Sequence, residues 1–210
     1  MAQTMNFNFA VVDVETGGLD SLKNPMVEVA VIIMDNDLNT IGEYCELIKP
    51  YNPELVIQPQ ALAANNLTME QIEGGKDASL VCEDLCSIFK KAAVKGRFGK
   101  PILCGHNSDN FDYFFFAEFF KFFGKSFDDY INTETTIDTM WWSRKAWQTS
   151  ENYKLHSCCQ NAGIELVNGH RALADTRVTA QLVKFFLERL RGKGIAAIEQ
   201  PVKITPKFGF

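Results

Sequence analysis

Long apolar runs mark the first third of the chain, and apolar positions spaced by three and four mark much of the rest. Phe9 to Val14, Met26 to Met34 and Ile41 to Ile48 predict three strands. The polar turns "GGLDSLKN" and "DNDLNT" separate them, which makes a meander. After the Pro-containing "KPYNPELVIQPQ", Thr68 with Gln71 predicts a capping box opening a short helix that ends at Gly74 and Gly75. Ser79 to Val94 carries apolar residues at 81, 85, 88 and 89, the spacing of an amphipathic helix. "KPILCGHN" predicts a short strand entering a loop, and "FDYFFFAEFFKFFG" a helix that Gly124 ends. "ETTIDTMWW" predicts a further strand, "YKLHSCCQNAGIEL" a helix closed by Gly163, and "HRALADTRVTAQLVKFFLERL" a longer helix.

Two places break this pattern by aiming a charge inward. Asp13 and Glu15 end the run that starts at Phe9, and residues two apart on a strand project from the same face, so the two carboxylates are neighbours. On the phenylalanine-rich helix, an advance of about 100° per residue gathers Phe111, Phe115, Phe116, Phe119, Phe120, Phe122 and Phe123 on one half of the wheel. Asp112 falls on that same half. Core packing is the favoured reading of the phenylalanines over a stacking platform for bases, and packing is likewise favoured for Trp141, Trp142 and Trp147.

Composition limits the possibilities. With 210 residues, 46% of them hydrophobic and 22% charged, the chain suits one ordinary globular domain with a sizeable core. The start lacks the basic residues and apolar run of a signal peptide, and no stretch is long and apolar enough to span a bilayer, so a cytoplasmic protein is expected. Six scattered cysteines without a CxxC pair predict reduced, mostly buried thiols and no structural zinc. A net charge of −5 argues against a broad basic face coating nucleic acid. It leaves room for gripping a single strand end, because bound cations dominate the charge of a local acidic site.

Four acids therefore stand out: Asp13 and Glu15 at a strand end, Asp112 at a helix start, and Asp175 early in another helix, five positions after His170. If they converge, each pair at 4 Å repels by about 1 kcal/mol in water and about 4 kcal/mol at an effective dielectric near 20. Several such pairs rival a domain's whole stability of roughly 5 to 15 kcal/mol. Divalent cations relieve the repulsion, and hard oxygen ligands favour Mg²⁺ or Mn²⁺. Two such ions stabilise the attacking and leaving oxygens of a phosphodiester cleavage. His170 is the side chain suited to taking a proton from water near neutral pH; His106 and His156 are expected to be structural.

These motifs resemble the DEDDh, or DnaQ-like, 3′ to 5′ exonucleases. "VVDVETGGLD" is similar to the family's first motif, "GHNSDNFDYFF" to its second and "HRALAD" to its third, and the similarity runs from about Phe7 to Leu190. The resemblance implies an α/β, RNase H-like fold with a central mixed five-stranded sheet flanked by helices, its first three strands antiparallel. It implies Asp13, Glu15, Asp112 and Asp175 as ligands of two divalent ions, Mg²⁺ or Mn²⁺, and His170 as general base. Thr16, Gly17 and Leu19 would line the pocket for the terminal nucleotide, with Asn107 as a further substrate contact and Asp138 behind the site. The implied activity is release of nucleoside monophosphates from the 3′ end of a single strand, DNA favoured, as in proofreading during replication. Trimming of short RNA, or a non-catalytic replisome interaction domain, are the alternatives.

Two departures from the family pattern matter. The second motif is one residue longer, "NSDNFD", so Asp109 competes with Asp112 for the ligand position; Asp112 is favoured because it opens the helix. "AANNLTMEQI" lacks the histidine and glycine common before the equivalent helix, leaving the cleft rim open. The exonuclease domain is expected to span residues 1–191. Residues 192–210, with Lys193, Lys203, Lys207 and a closing "KFGF", form a tail that could tether a polymerase or sliding clamp.

Overall fold

A computed structural model of the chain describes residues 7–95, 99–165 and 171–192. Five strands form one sheet in the order β3-β2-β1-β4-β5. They are β1 (Phe9–Thr16), β2 (Met26–Met34), β3 (Thr40–Leu47), β4 (Ile102–Gly105) and β5 (Asn132–Asp138). β2 pairs antiparallel with both β1 and β3, whereas β4 runs parallel to β1 and β5. The expected mixed sheet with an antiparallel first half is present. All nine residues of β2 are buried, because helices cover both faces of the sheet.

Alternation along β1 divides the core in two. Ala10, Val12 and Val14 pack with α3 (Ala78–Ala92) and α4 (Asp112–Phe122). Phe9 and Val11 pack on the other face with α7 (Ala172–Gly192). Asp13 and Glu15 continue the face that α7 covers, two and four residues beyond Val11. They project where that apolar wall ends.

The helices follow local rules. Thr68 caps α2 (Met69–Glu73) in a full capping box with Gln71. Gly163 ends α6 (Leu155–Ala162) at φ 72° and Gly124 follows α4 at φ 68°, both in the left-handed region that glycine tolerates. On α4, Phe115, Phe116, Phe119 and Phe120 are buried, and Phe116 stacks on Phe127 with ring centroids 4.8 Å apart. Packing, not base stacking, accounts for this stripe; Phe122, at its end, is 47% exposed and rests against Tyr51.

Two sequence expectations need correction. The strand expected through Trp142 stops at Asp138, which caps α5 (Thr139–Ala146) by accepting from the backbone of Met140 and Trp141. The stretch Pro59–Ala64, to which no element was assigned from sequence, is the helix α1, started by a proline whose missing N–H costs nothing at a first turn. Of the tryptophans, Trp142 and Trp147 pack around Phe186, but Trp141 is 58% exposed beside Lys145. The six cysteines are free thiols. Among the described residues no helix is long and apolar enough to cross a membrane. The expected tether lies outside the described residues except Gly192, the last residue of α7.

Phe116 is fully buried between sheet and Phe127. Phe116→Ala is expected to destabilise the fold by about 3 to 5 kcal/mol in urea unfolding; a loss below about 1 kcal/mol would show that the aromatic cluster is not the core of this face.

Candidate functional site

The site forms where β1 and β4 part. Their parallel pairing ends at Val11 and Cys104, leaving the β1 backbone beyond it open on that edge. The first turn of α4 fills the opening, and the Val14 N–H donates to Asp112 Oδ1 at 3.0 Å. A carboxylate at a helix N-terminus is also favoured by the helix dipole. Asp112 is 4% exposed. Asp109 is exposed instead, accepting from Thr136 Oγ1 at 2.9 Å, so the inserted residue of the second motif displaces it from the cluster.

Asp175, in the first turn of α7, comes down on the same face as Asp13 and Glu15. One carboxylate oxygen from each of these three lies within 4.8 Å of the others. That spacing suits a shared hard cation, and all three donors are oxygens. Burial pushes the Asp13 carboxyl well above its ordinary range, followed by the charges of Asp112, Glu15, Asp175 and Glu28. Glu15, 9% exposed, is pushed up to about 8 by burial and then by Asp175, Glu28 and Asp112, against a lowering by Arg171. Asp112 is raised to about 7 by burial, despite accepting backbone hydrogen bonds from its own N–H and that of Val14. The charge of Asp112 acts on Asp13 more strongly than Glu15 or Asp175 does, so Asp13 links the trio to the fourth acid. Of the four acids expected to converge, Asp13, Glu15 and Asp175 lie within 4.8 Å of one another, and Asp112 acts on Asp13 through its charge.

The loop after β1 is built on side chains that sequence reading missed. Buried Asn24 accepts from the Asp20 N–H and donates to the Val56 carbonyl at 2.7 Å. A Cβ on Gly18 would lie 2.4 Å from Asn24 Oδ1, and one on Gly17 would lie 2.9 Å from Pro25 and 3.1 Å from Ile57. Both glycines are thus required by the protein's own packing. Thr16 Oγ1 donates to the Gly18 carbonyl at 2.6 Å, and Leu19 is left 86% exposed at the loop's tip. On the rim that the sequence left open, Asn65 donates to the Thr16 carbonyl at 3.0 Å, fastening the end of α1 to the first motif.

Asp138 accepts from the Asn107 N–H at 2.9 Å and from the Asp109 N–H, holding Asn107 in a left-handed conformation, φ 65°. Both ring nitrogens of His106 are engaged, by Thr139 Oγ1 and the Tyr153 carbonyl, which fits a structural role. His156 is exposed on α6. His170 lies outside the described residues, but its neighbour Arg171 is described. Arg171 pairs with Glu28, an acid inside "MVEVAVIIM" that is 1% exposed and that sequence reading passed over. Its signal was available: it is the one charge in an otherwise apolar strand.

Comparison with known proteins follows the same contour. A family model described as "Exonuclease" matches residues 10–183. A PolC-type DNA polymerase III of Caldanaerobacter subterraneus subsp. tengcongensis is 27% identical, over 91% of this chain and 12% of that polymerase. The PolC-type DNA polymerase III of Thermotoga petrophila is 29% identical, over 93% of this chain and 13% of the polymerase. This chain thus spans a small fraction of the length of those curated relatives. Among solved structures, E. coli exonuclease I in complex with a dT13 oligonucleotide superposes with a TM-score of 0.72 at 19% identity, covering 92% of this chain and 43% of that one. A product-bound exonuclease I gives 0.73 at 17% identity, covering 93% and 46%. These structures share the fold.

The raised carboxyls carry a stability consequence. The folded state holds a proton on Glu15 up to about pH 8, whereas the unfolded chain releases it near the ordinary value of 4.5. The stabilisation from this group is therefore complete below the unfolded value and is lost as pH rises through the folded one. In chelator, the thermal midpoint is expected to fall by more than roughly 4 °C between about pH 5 and about pH 8. Mg²⁺ should restore it and Glu15→Gln should flatten the profile; a midpoint that rises with pH in chelator would contradict the electrostatics.

Proposed function

The chain belongs to the exonuclease family, and on that footing we propose that it hydrolyses phosphodiester bonds stepwise from the 3′ end of single-stranded nucleic acid, DNA favoured, releasing nucleoside monophosphates. The observation that carries this reading is the convergence of Asp13, Glu15 and Asp175 within 4.8 Å, with the charge of Asp112 also acting on Asp13. Buried like charges of this kind cost stability on their own, and all-oxygen donors fit Mg²⁺ or Mn²⁺. Asp13, Glu15, Asp112 and Asp175 would hold two such ions. When bound, the ions supply positive charge that offsets the negative charge on the attacking and leaving oxygens.

The chain's own residues do the rest. His170, one position before the anchored Arg171, takes the proton of the attacking water. Leu19, exposed and apolar, offers a face to the terminal base or sugar, while Thr16 and Gly17 fix the loop that presents it. Asn107, pinned by Asp138, contacts the strand on the opposite rim. The single-stranded DNA preference draws on the oligonucleotide in the exonuclease I complex and on the DNA polymerase relatives. A cytoplasmic proofreading role, with residues 192–210 tethering a polymerase or sliding clamp, is part of the same reading.

On 5′-labelled single-stranded DNA with Mg²⁺, wild type is expected to give a ladder shortening from the 3′ end, abolished by chelator and by Asp13→Ala. Equal cutting by wild type and Asp13→Ala would overturn the assignment. For His170→Ala, turnover should drop by about a hundredfold or more while Mn²⁺ still binds; retained turnover would remove it as the base. Deleting residues 192–210 should leave cutting of free single strands intact and weaken polymerase or clamp binding, and unchanged partner binding would dismiss the tether.

A further inference from the structure

Glu28 stands directly opposite Glu15 across the antiparallel pairing of β1 with β2, so it shares the face of the acidic cluster. Its side chain is 2% exposed. Cys45 Sγ on β3 donates to Oε1 at 3.9 Å, and among the described residues every other bond of the carboxylate goes to the start of α7. Arg171 Nη2 donates to Oε1 at 2.7 Å and Nε to Oε2 at 3.3 Å, and the Ala172 backbone N–H donates to Oε2 at 3.1 Å. α7 begins at Ala172, and Asp175 follows within its first turn. Two successive residues at a helix start, held by one carboxylate through a planar fork and a backbone N–H, fix both how far the helix advances and how it is rolled about its axis.

We propose that Glu28 and Arg171 are a positioning pair that sets Asp175 against Asp13 and Glu15 and thereby sets the site's affinity for divalent cations. The inference rests on the reading of those three acids as metal ligands. Neither partner of the pair is itself a ligand. Glu28 acts through the N-terminus of α7, as groups behind a metal site orient the groups that touch it.

Positioning and plain electrostatics make opposite forecasts for Arg171. As charges, Glu28 adds to the negative field on Asp13 and Glu15, and Arg171 opposes it at Glu15. Charge alone would make Glu28→Gln weaken cation binding and Arg171→Met tighten it. Positioning makes both weaken it.

The test is Mn²⁺ binding by calorimetry on the full chain, with circular dichroism and the thermal midpoint in chelator reporting the fold. Wild type should bind, and Asp13→Asn should lose binding. Glu28→Gln and Arg171→Met should each weaken Mn²⁺ binding by about 10- to 100-fold with the folded content unchanged. The double variant should be no weaker than the worse single one, since the two act as a unit. Where a single variant fails to fold, the double variant, which leaves no unpaired buried charge, carries the test. Arg171→Met binding as tightly as wild type or tighter, or a double variant of wild-type affinity, overturns the positioning pair alone. Absence of Mn²⁺ binding in wild type, or binding unaffected by Asp13→Asn, overturns the metal site and the pair together.

Discussion

Mutual repulsion among buried and half-buried carboxylates is the constraint around which this molecule is arranged. Asp13, Glu15 and Asp175 are brought within 4.8 Å, with Asp112 close enough to dominate the neighbouring charges on Asp13. A fold tolerates such a cluster only if the elements carrying it are held by something stronger. Here β1 lies in the middle of a sheet covered on both faces, and α7 and α4 are seated on opposite faces of it. The apolar rows at residues 9 and 11 on one face and 10, 12 and 14 on the other are the counterweight to the acids at 13 and 15.

The same logic explains why Asp112 differs in character from the other three acids. Asp112 takes backbone hydrogen bonds where β1 lacks its parallel neighbour, so its charge is partly met by the protein. Within the trio, Arg171, paired with Glu28, lowers Glu15. A site with one well-supported acid and three crowded ones is polarised toward cations without being loose.

Much of this was legible in the residues. β1, β2, the capping box at Thr68, the glycine ends at 124 and 163, and the inward aim of Asp13, Glu15 and Asp112 all follow from local pattern, and the structure reproduces them. What stayed hidden depends on contacts between distant segments. The strand at "ETTID" stops because Asp138 caps a helix over Thr139–Ala146, where the apolar "MWW" suggested continuation. Asn24 and Asn65 are ordinary polar letters until their loops close on residues 32 and 49 positions away. Glu28 was visible as a lone charge in an apolar strand, but its meaning needed Arg171, 143 residues further on.

That last separation has a bearing on how the protein comes into being. The first motif is complete within the opening twenty residues, yet the carboxylate that closes the trio, and the fork that seats its helix, arrive only after residue 170. A nascent chain leaving the ribosome carries Asp13 and Glu15 long before Asp175. Convergence of the trio therefore waits until residue 175 has been made, and a fragment ending before it holds Asp13 and Glu15 without their third partner.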